Sequence, residues 1–154
     1  MIGRFGRLAP AMIVAMMLVS RAAAAESMAE TLDKWGLIGP WSLDCALPPD
    51  HDKGAVLSYE IAGDEVVNRR DFGDAKDEGK VISATVSKDG VLNLRVNFAA
   101  VNQTREFGLM MQPDGTLRAM YNRNDSKQYT IRNGKFTADG KPTPSQHKCE
   151  KPPS

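Results

Sequence analysis

From Pro40 onward, apolar and polar residues alternate with a period of two, in short runs separated by turn-forming pairs. In VLNLRVNF, Leu92, Leu94, Val96 and Phe98 share one face, and Asn93, Arg95 and Asn97 share the other. Successive side chains of an extended chain point to opposite faces, so this is a strand with one face in a core and one in water. The same spacing recurs in Leu57, Tyr59 and Ile61; Ile82, Ala84 and Val86; Phe107, Leu109 and Met111; Leu117, Ala119 and Tyr121; and Tyr129 with Ile131. Between them lie Gly63-Asp64, Asp89-Gly90, Asp114-Gly115, Asn122 to Asp125 and Asn133-Gly134, which tolerate positive φ and tight hairpins. About eight consecutive strands joined in this way predict an all-β antiparallel meander. A meander of that length leaves two open edges unless it curls until they meet, so the expected architecture is one small β-barrel over residues 39-150. A two-layer β-sandwich is the alternative. It needs long crossovers, and the only long connections are near residues 46–54 and 72–79.

Ahead of this domain stands MIGRFGRLAPAMIVAMMLVSRAAAAES. Arg4 and Arg7 precede an apolar run of about 11 residues, too short to span a bilayer, and Ala23 and Ala25 form an Ala-x-Ala cleavage pattern. Residues 1-25 are therefore expected to be a secretory signal peptide of bacterial type. Its removal would send the protein to the periplasm or outside the cell with no stable membrane anchor. Cleavage removes three Arg and no acidic residue, so 20 basic against 19 acidic residues become 17 against 19. A slightly acidic chain without clustered Lys and Arg excludes nucleic acid as the expected partner. Residues 26-38 then form an N-terminal helix and linker. Ser27-Met28-Ala29-Glu30 fits a capping box, Met28, Leu32 and Trp35 follow at helical spacing, and Gly36 marks the stop, which predicts a short amphipathic helix at about 28–35 that covers part of the core.

In GPWSLDC, Trp41, Leu43 and Cys45 alternate and so share a face of an extended chain. The chain has two Cys, and in an exported protein Cys45 and Cys149 are expected to pair, tying the first strand to the tail. The alternative is a zinc site, because His51 and His147, the only His residues, flank those cysteines. The loop DFGDAKDEGK offers Asp71, Asp74, Asp77 and Glu78 as hard oxygen ligands for calcium, but without EF-hand spacing; a solvated hairpin is the expectation.

Gly39-Pro40-Trp41 after a short helix resembles the Gly-x-Trp signature that begins lipocalin-like (calycin) barrels. The resemblance implies that Trp41 closes one barrel end beneath an Arg from a late strand, Arg118 or Arg132. In size and in its single disulfide the chain is also similar to bacterial periplasmic metalloprotease inhibitors of lipocalin-like fold. That likeness implies an inhibitor acting through an N-terminal arm, here residues 26–34, although ESMAETLDKW does not match one. The Trp-Ser-x-Asp-Cys start and a Cys near the end resemble small secreted bacterial proteins of unknown function, which supply no activity.

No nucleophile-base arrangement, nucleophile elbow or Gly-rich phosphate loop is present, so neither catalysis nor a cofactor is expected. Binding remains, to a partner protein or to a small apolar ligand. A barrel of about eight strands is either filled or just wide enough for one small ligand. Leu92, Leu94, Phe98, Phe107, Leu109, Met111 and Tyr121 are the inward set, which either packs the core or lines a pocket. Arg69, Arg70, Arg95, Arg105, Arg118 and Arg132 are expected to face outward, free to meet an acidic partner.

Overall fold

The computed structural model describes residues 26–154, so the expected signal peptide lies outside the described residues. One helix, α1 (Met28–Trp35), precedes ten strands: β1 (Gly39–Ser42), β2 (Val56–Ala62), β3 (Glu65–Asp71), β4 (Lys76–Val86), β5 (Leu92–Phe98), β6 (Gln103–Met111), β7 (Leu117–Asn124), β8 (Tyr129–Arg132), β9 (Lys135–Phe136) and β10 (Ser145–Lys148). Consecutive strands from β1 to β9 pair antiparallel. The last strand, β10, returns to pair with both β1 and the start of β7, so β1 to β7 and β10 close into an eight-stranded barrel. The sandwich alternative is thereby excluded. β8 and β9 leave the barrel wall as a side hairpin on the second half of β7.

Local chemistry forms the cap on one barrel end. Ser27 and Glu30 build the capping box in both directions, with Glu30 N donating to Ser27 Oγ at 3.2 Å and Ser27 N to Glu30 Oε2 at 2.8 Å. Gly36 ends α1 at φ 92°, a conformation that favours a residue without a Cβ. The helix then lays Leu32, fully buried, onto the barrel end, and Trp35 Nε1 donates to Gly90 O at 3.2 Å across the β4–β5 turn. Beneath it lies one buried cluster built from Trp41, Tyr59, Val66, Val81, Leu92, Leu94, Val96, Phe98, Leu109 and Leu117.

Bulges decide which side chains join that cluster. Strand β4 slips register between Val81 and Ser83, so Val81 enters the core and Ile82, expected inside, is 45% exposed. A second slip, opposite Gly108 and Leu109, pairs Leu109 with Ala119 but Gly108 with Tyr121, turning Tyr121 outward. The second half of the expected loop 72–79 is the start of β4, in a short hairpin with β3.

Candidate functional site

The slip that moves Tyr121 outward builds a groove on the outer wall. Gly108 has no side chain, and the Tyr121 ring lies over it so closely that a Cβ there would sit 2.2 Å from Tyr121 Cε1. Tyr121 Oη donates to Asn93 Oδ1 at 2.8 Å, which holds the ring flat across β5 and β6. The Arg123 guanidinium stands 5.6 Å from the Tyr121 ring centroid and 5.7 Å from that of Tyr129, and its Nη1 donates to Tyr129 Oη at 2.9 Å. Arg123 Nε and Lys127 Nζ both engage Glu106. Burial works to raise the Glu106 pKa, but those two cations outweigh it and hold the carboxyl below its usual range. The Arg132 guanidinium lies 5.2 Å from the Tyr129 ring centroid. Tyr121, Arg123, Tyr129 and Arg132, with Met110, Met120 and Asp89, line a groove of about 660 Å³. Stacked Tyr and Arg beside polarisable Met is the composition of protein-recognition surfaces.

A second polar cluster faces inward at the barrel mouth opposite α1. Arg70 is in register with Leu57 and Asp77, and it grips Asp77 through two hydrogen bonds, 2.6 and 2.5 Å. Its guanidinium lies 4.1 Å from the Phe98 ring centroid, and Phe98 meets Phe107 edge-on at 6.4 Å. Arg105 is in register with the core residue Val96 and so shares the inner face. Its Nε donates to Asn122 Oδ1 at 2.7 Å, Nη1 to Gln103 Oε1 at 3.3 Å and Nη2 to Thr130 Oγ1 at 3.1 Å. Arg70 and Arg105, expected outside with the other arginines, are therefore inward. The run VVNRRD carries no clear alternation from which to assign a face.

Other expected residues fall as follows. Cys45 and Cys149 form a disulfide, so the thiolate pair that the zinc alternative requires does not exist. His51 instead approaches Asp74, 3.6 Å away, while His147 on β10 stands in register with Ser42 on β1. Asp71, Asp74, Asp77 and Glu78 diverge: Asp71 bonds Lys76, Asp77 turns inward to Arg70, and Glu78 turns outward to Arg69. Trp41 is 1% exposed and its Nε1 donates to Leu37 O at 2.8 Å. The cation over Trp41 is neither Arg118 nor Arg132 but Lys148, directly opposite on β10, with Nζ 5.6 Å from the ring. Arg118 instead bonds Thr143 Oγ1 and Gly134 O, holding the side hairpin against the barrel. Leu43 lies past the end of β1 and packs against Gly54 rather than in the core.

Leu92, Leu94, Phe98 and Leu109 belong to the buried cluster, with Phe107 and Met111 packed against it; Tyr121 does not. The N-terminal helix covers part of the core as its spacing predicts, since Leu32 is in that cluster. A larger groove of about 840 Å³ runs along β2 to β4 beside Pro152 and Pro153 and reaches Arg70 and Asp77 at the mouth. Its charges are paired with one another, Arg69 with Glu60 and Glu78 and Lys80 with Glu65. No protein family, no curated protein and no solved structure matches this chain.

The Cys45–Cys149 disulfide belongs to a non-reducing environment. No helix among the described residues is long and apolar enough to cross a membrane.

Proposed function

We propose that this chain is an exported, non-catalytic binding protein of the periplasm or extracellular space that recognises a partner protein through the outer groove of Tyr121, Arg123, Tyr129 and Arg132. The observation that carries this reading is the division of the apolar and aromatic residues. The inward set packs against itself and α1, whereas Tyr121 and Tyr129 are held on the outside by hydrogen bonds and guanidinium stacking. Rigid, partly exposed Tyr and Arg are the residues on which interface energy concentrates. Arg132 has no carboxylate within ion-pair distance among the described residues, so it suits a partner segment that offers an acidic side chain beside an apolar one.

The test is crosslinked capture from the host's own periplasmic extract, comparing the native chain with Arg132→Glu, Tyr129→Ala and, as a control in the other groove, Glu60→Gln. A protein retained by the native chain and by Glu60→Gln, and lost by both groove variants, supports this reading. Identical capture by all four chains overturns it.

A further inference from the structure

Arg105 and Asn68 together mark the barrel mouth as incomplete. We propose that the mouth opposite α1 binds a small organic monocarboxylate, with Arg105 as its charge partner and the half-buried Phe107 as the contact for its apolar body.

Four other arginines among the described residues meet a carboxylate: Arg69, Arg70, Arg95 and Arg123. Arg105, although half-buried on the inner face, has only neutral acceptors, the side-chain oxygens of Asn122, Gln103 and Thr130. These three fix the guanidinium in place and leave two of its five N–H groups without an assigned acceptor. Burial, and then the positive charge of Arg70, push its pKa down, the behaviour of a cation held without its counter-ion. Asp77 neutralises Arg70, so the inner-face charges Arg70, Asp77 and Arg105 sum to one unpaired positive charge. A monoanion balances it.

Asn68 supplies an independent sign of the same chemistry. It is 2% exposed, and its Nδ2 has no hydrogen-bond acceptor. Buried donors are rarely left in that state, because each unmade bond forfeits the hydration the group gave up. On β3 it stands one inward position deeper than Arg70, directly across from Gly79. A Cβ at Gly79 would come within 2.7 Å of the Phe98 ring, so Asn68, Gly79, Arg70 and Phe98 occupy one neighbourhood. A cation without an anion and a donor without an acceptor, at one end of one barrel, both call for oxygen acceptors. A planar guanidinium with two free N–H groups fits a carboxylate, and Phe107, half-buried on the inner face against the fully buried Phe98, gives an apolar body a surface.

The site is separate from the outer groove, and the test keeps the two apart. The mature chain is titrated with benzoate, acetate and inorganic phosphate while two-dimensional NMR follows its amides. Benzoate is expected to bind saturably and to shift Phe98, Arg105 and Phe107, acetate to bind more weakly and phosphate most weakly. Arg105→Gln should weaken benzoate by about tenfold or more, the loss of one charge-assisted contact, and Arg132→Gln should leave it unchanged. Thermal melts separate a structural role: benzoate should raise the midpoint of the native chain but not that of Arg105→Gln. If that variant fails to fold, Phe107→Leu, which keeps the cation, should narrow the preference for benzoate over acetate. Native-like benzoate affinity in Arg105→Gln, equal preference in Phe107→Leu, absence of shifts at the mouth, or phosphate binding tighter than benzoate would each overturn the proposal.

Discussion

At Gly108, alanine would place a methyl 2.2 Å from Tyr121 Cε1 and force the phenol off the sheet. Gly108→Ala is therefore expected to cost about 1–3 kcal/mol in urea unfolding, as overpacking does, and to abolish groove binding together with the Tyr121–Asn93 hydrogen bond. Titratable residues give two further outcomes of opposite sign. Burial pushes the Tyr59 phenol up, with Arg70 partly offsetting it, so the folded chain keeps a proton that the unfolded chain gives up near the usual value of 10. Stability from Tyr59 is thus complete below that value and is lost as pH rises above it. Tyr59→Phe should show a smaller drop in urea midpoint between about pH 9 and pH 11 than the native chain. Glu106 runs the other way, because its folded pKa lies below the ordinary 4.5. Its contribution is present above that value and disappears as pH falls through the folded pKa, so Glu106→Gln should blunt the acid sensitivity of the native chain in the same assay. At this scale the sequence was legible where the chemistry is local. Ser27 with Glu30 reads as a capping box because its bonds span three residues. The cation over Trp41 was not, since Lys148 reaches it only through the pairing of β1 with β10.

Among the elements, α1 follows its expected spacing and covers part of the core. Leu32 is fully buried and Trp35 bonds Gly90 O, so the helix is a lid on the core. Removing residues 26–34 should lower the thermal midpoint and let a hydrophobic dye bind the barrel end. A native midpoint after truncation would show that the helix carries no packing. Ser27→Ala should cost about 1 kcal/mol in the same measurement, the usual loss for an N-cap. For the strands, alternation located β2, β5, β6 and β7 well, but it counted Tyr129 and Ile131 as barrel wall when they form a side hairpin. It also gave no sign of β10, whose Ser145-Gln146-His147-Lys148 contains no strong strand former. That segment is extended because both open edges of the meander, β1 and β7, are there to pair with it.

The whole molecule is closed twice, by β10 and by the Cys45–Cys149 bond across 104 residues. Reduction should leave the barrel hydrogen bonds in place while restoring freedom to the unfolded chain. The urea-unfolding free energy is then expected to fall by about 2–5 kcal/mol in dithiothreitol, with little change in the far-ultraviolet dichroism of the folded state.

By itself the sequence determined that this is an antiparallel all-β domain with a capped N-terminal helix and two cysteines suited to pairing. Those features follow from side-chain alternation, helical spacing and the chemistry of short segments. Only the tertiary structure decided which residues face the interior where a bulge interrupts the alternation. Each bulge adds one residue to a strand, and one residue reverses every face beyond it. For that reason Ile82 and Tyr121 are outside the barrel and Val81 is inside. Closure through β10, Lys148 over Trp41, and the meeting of Arg70 and Arg105 at the mouth depend on contacts between distant strands, which a period of two within one strand does not encode.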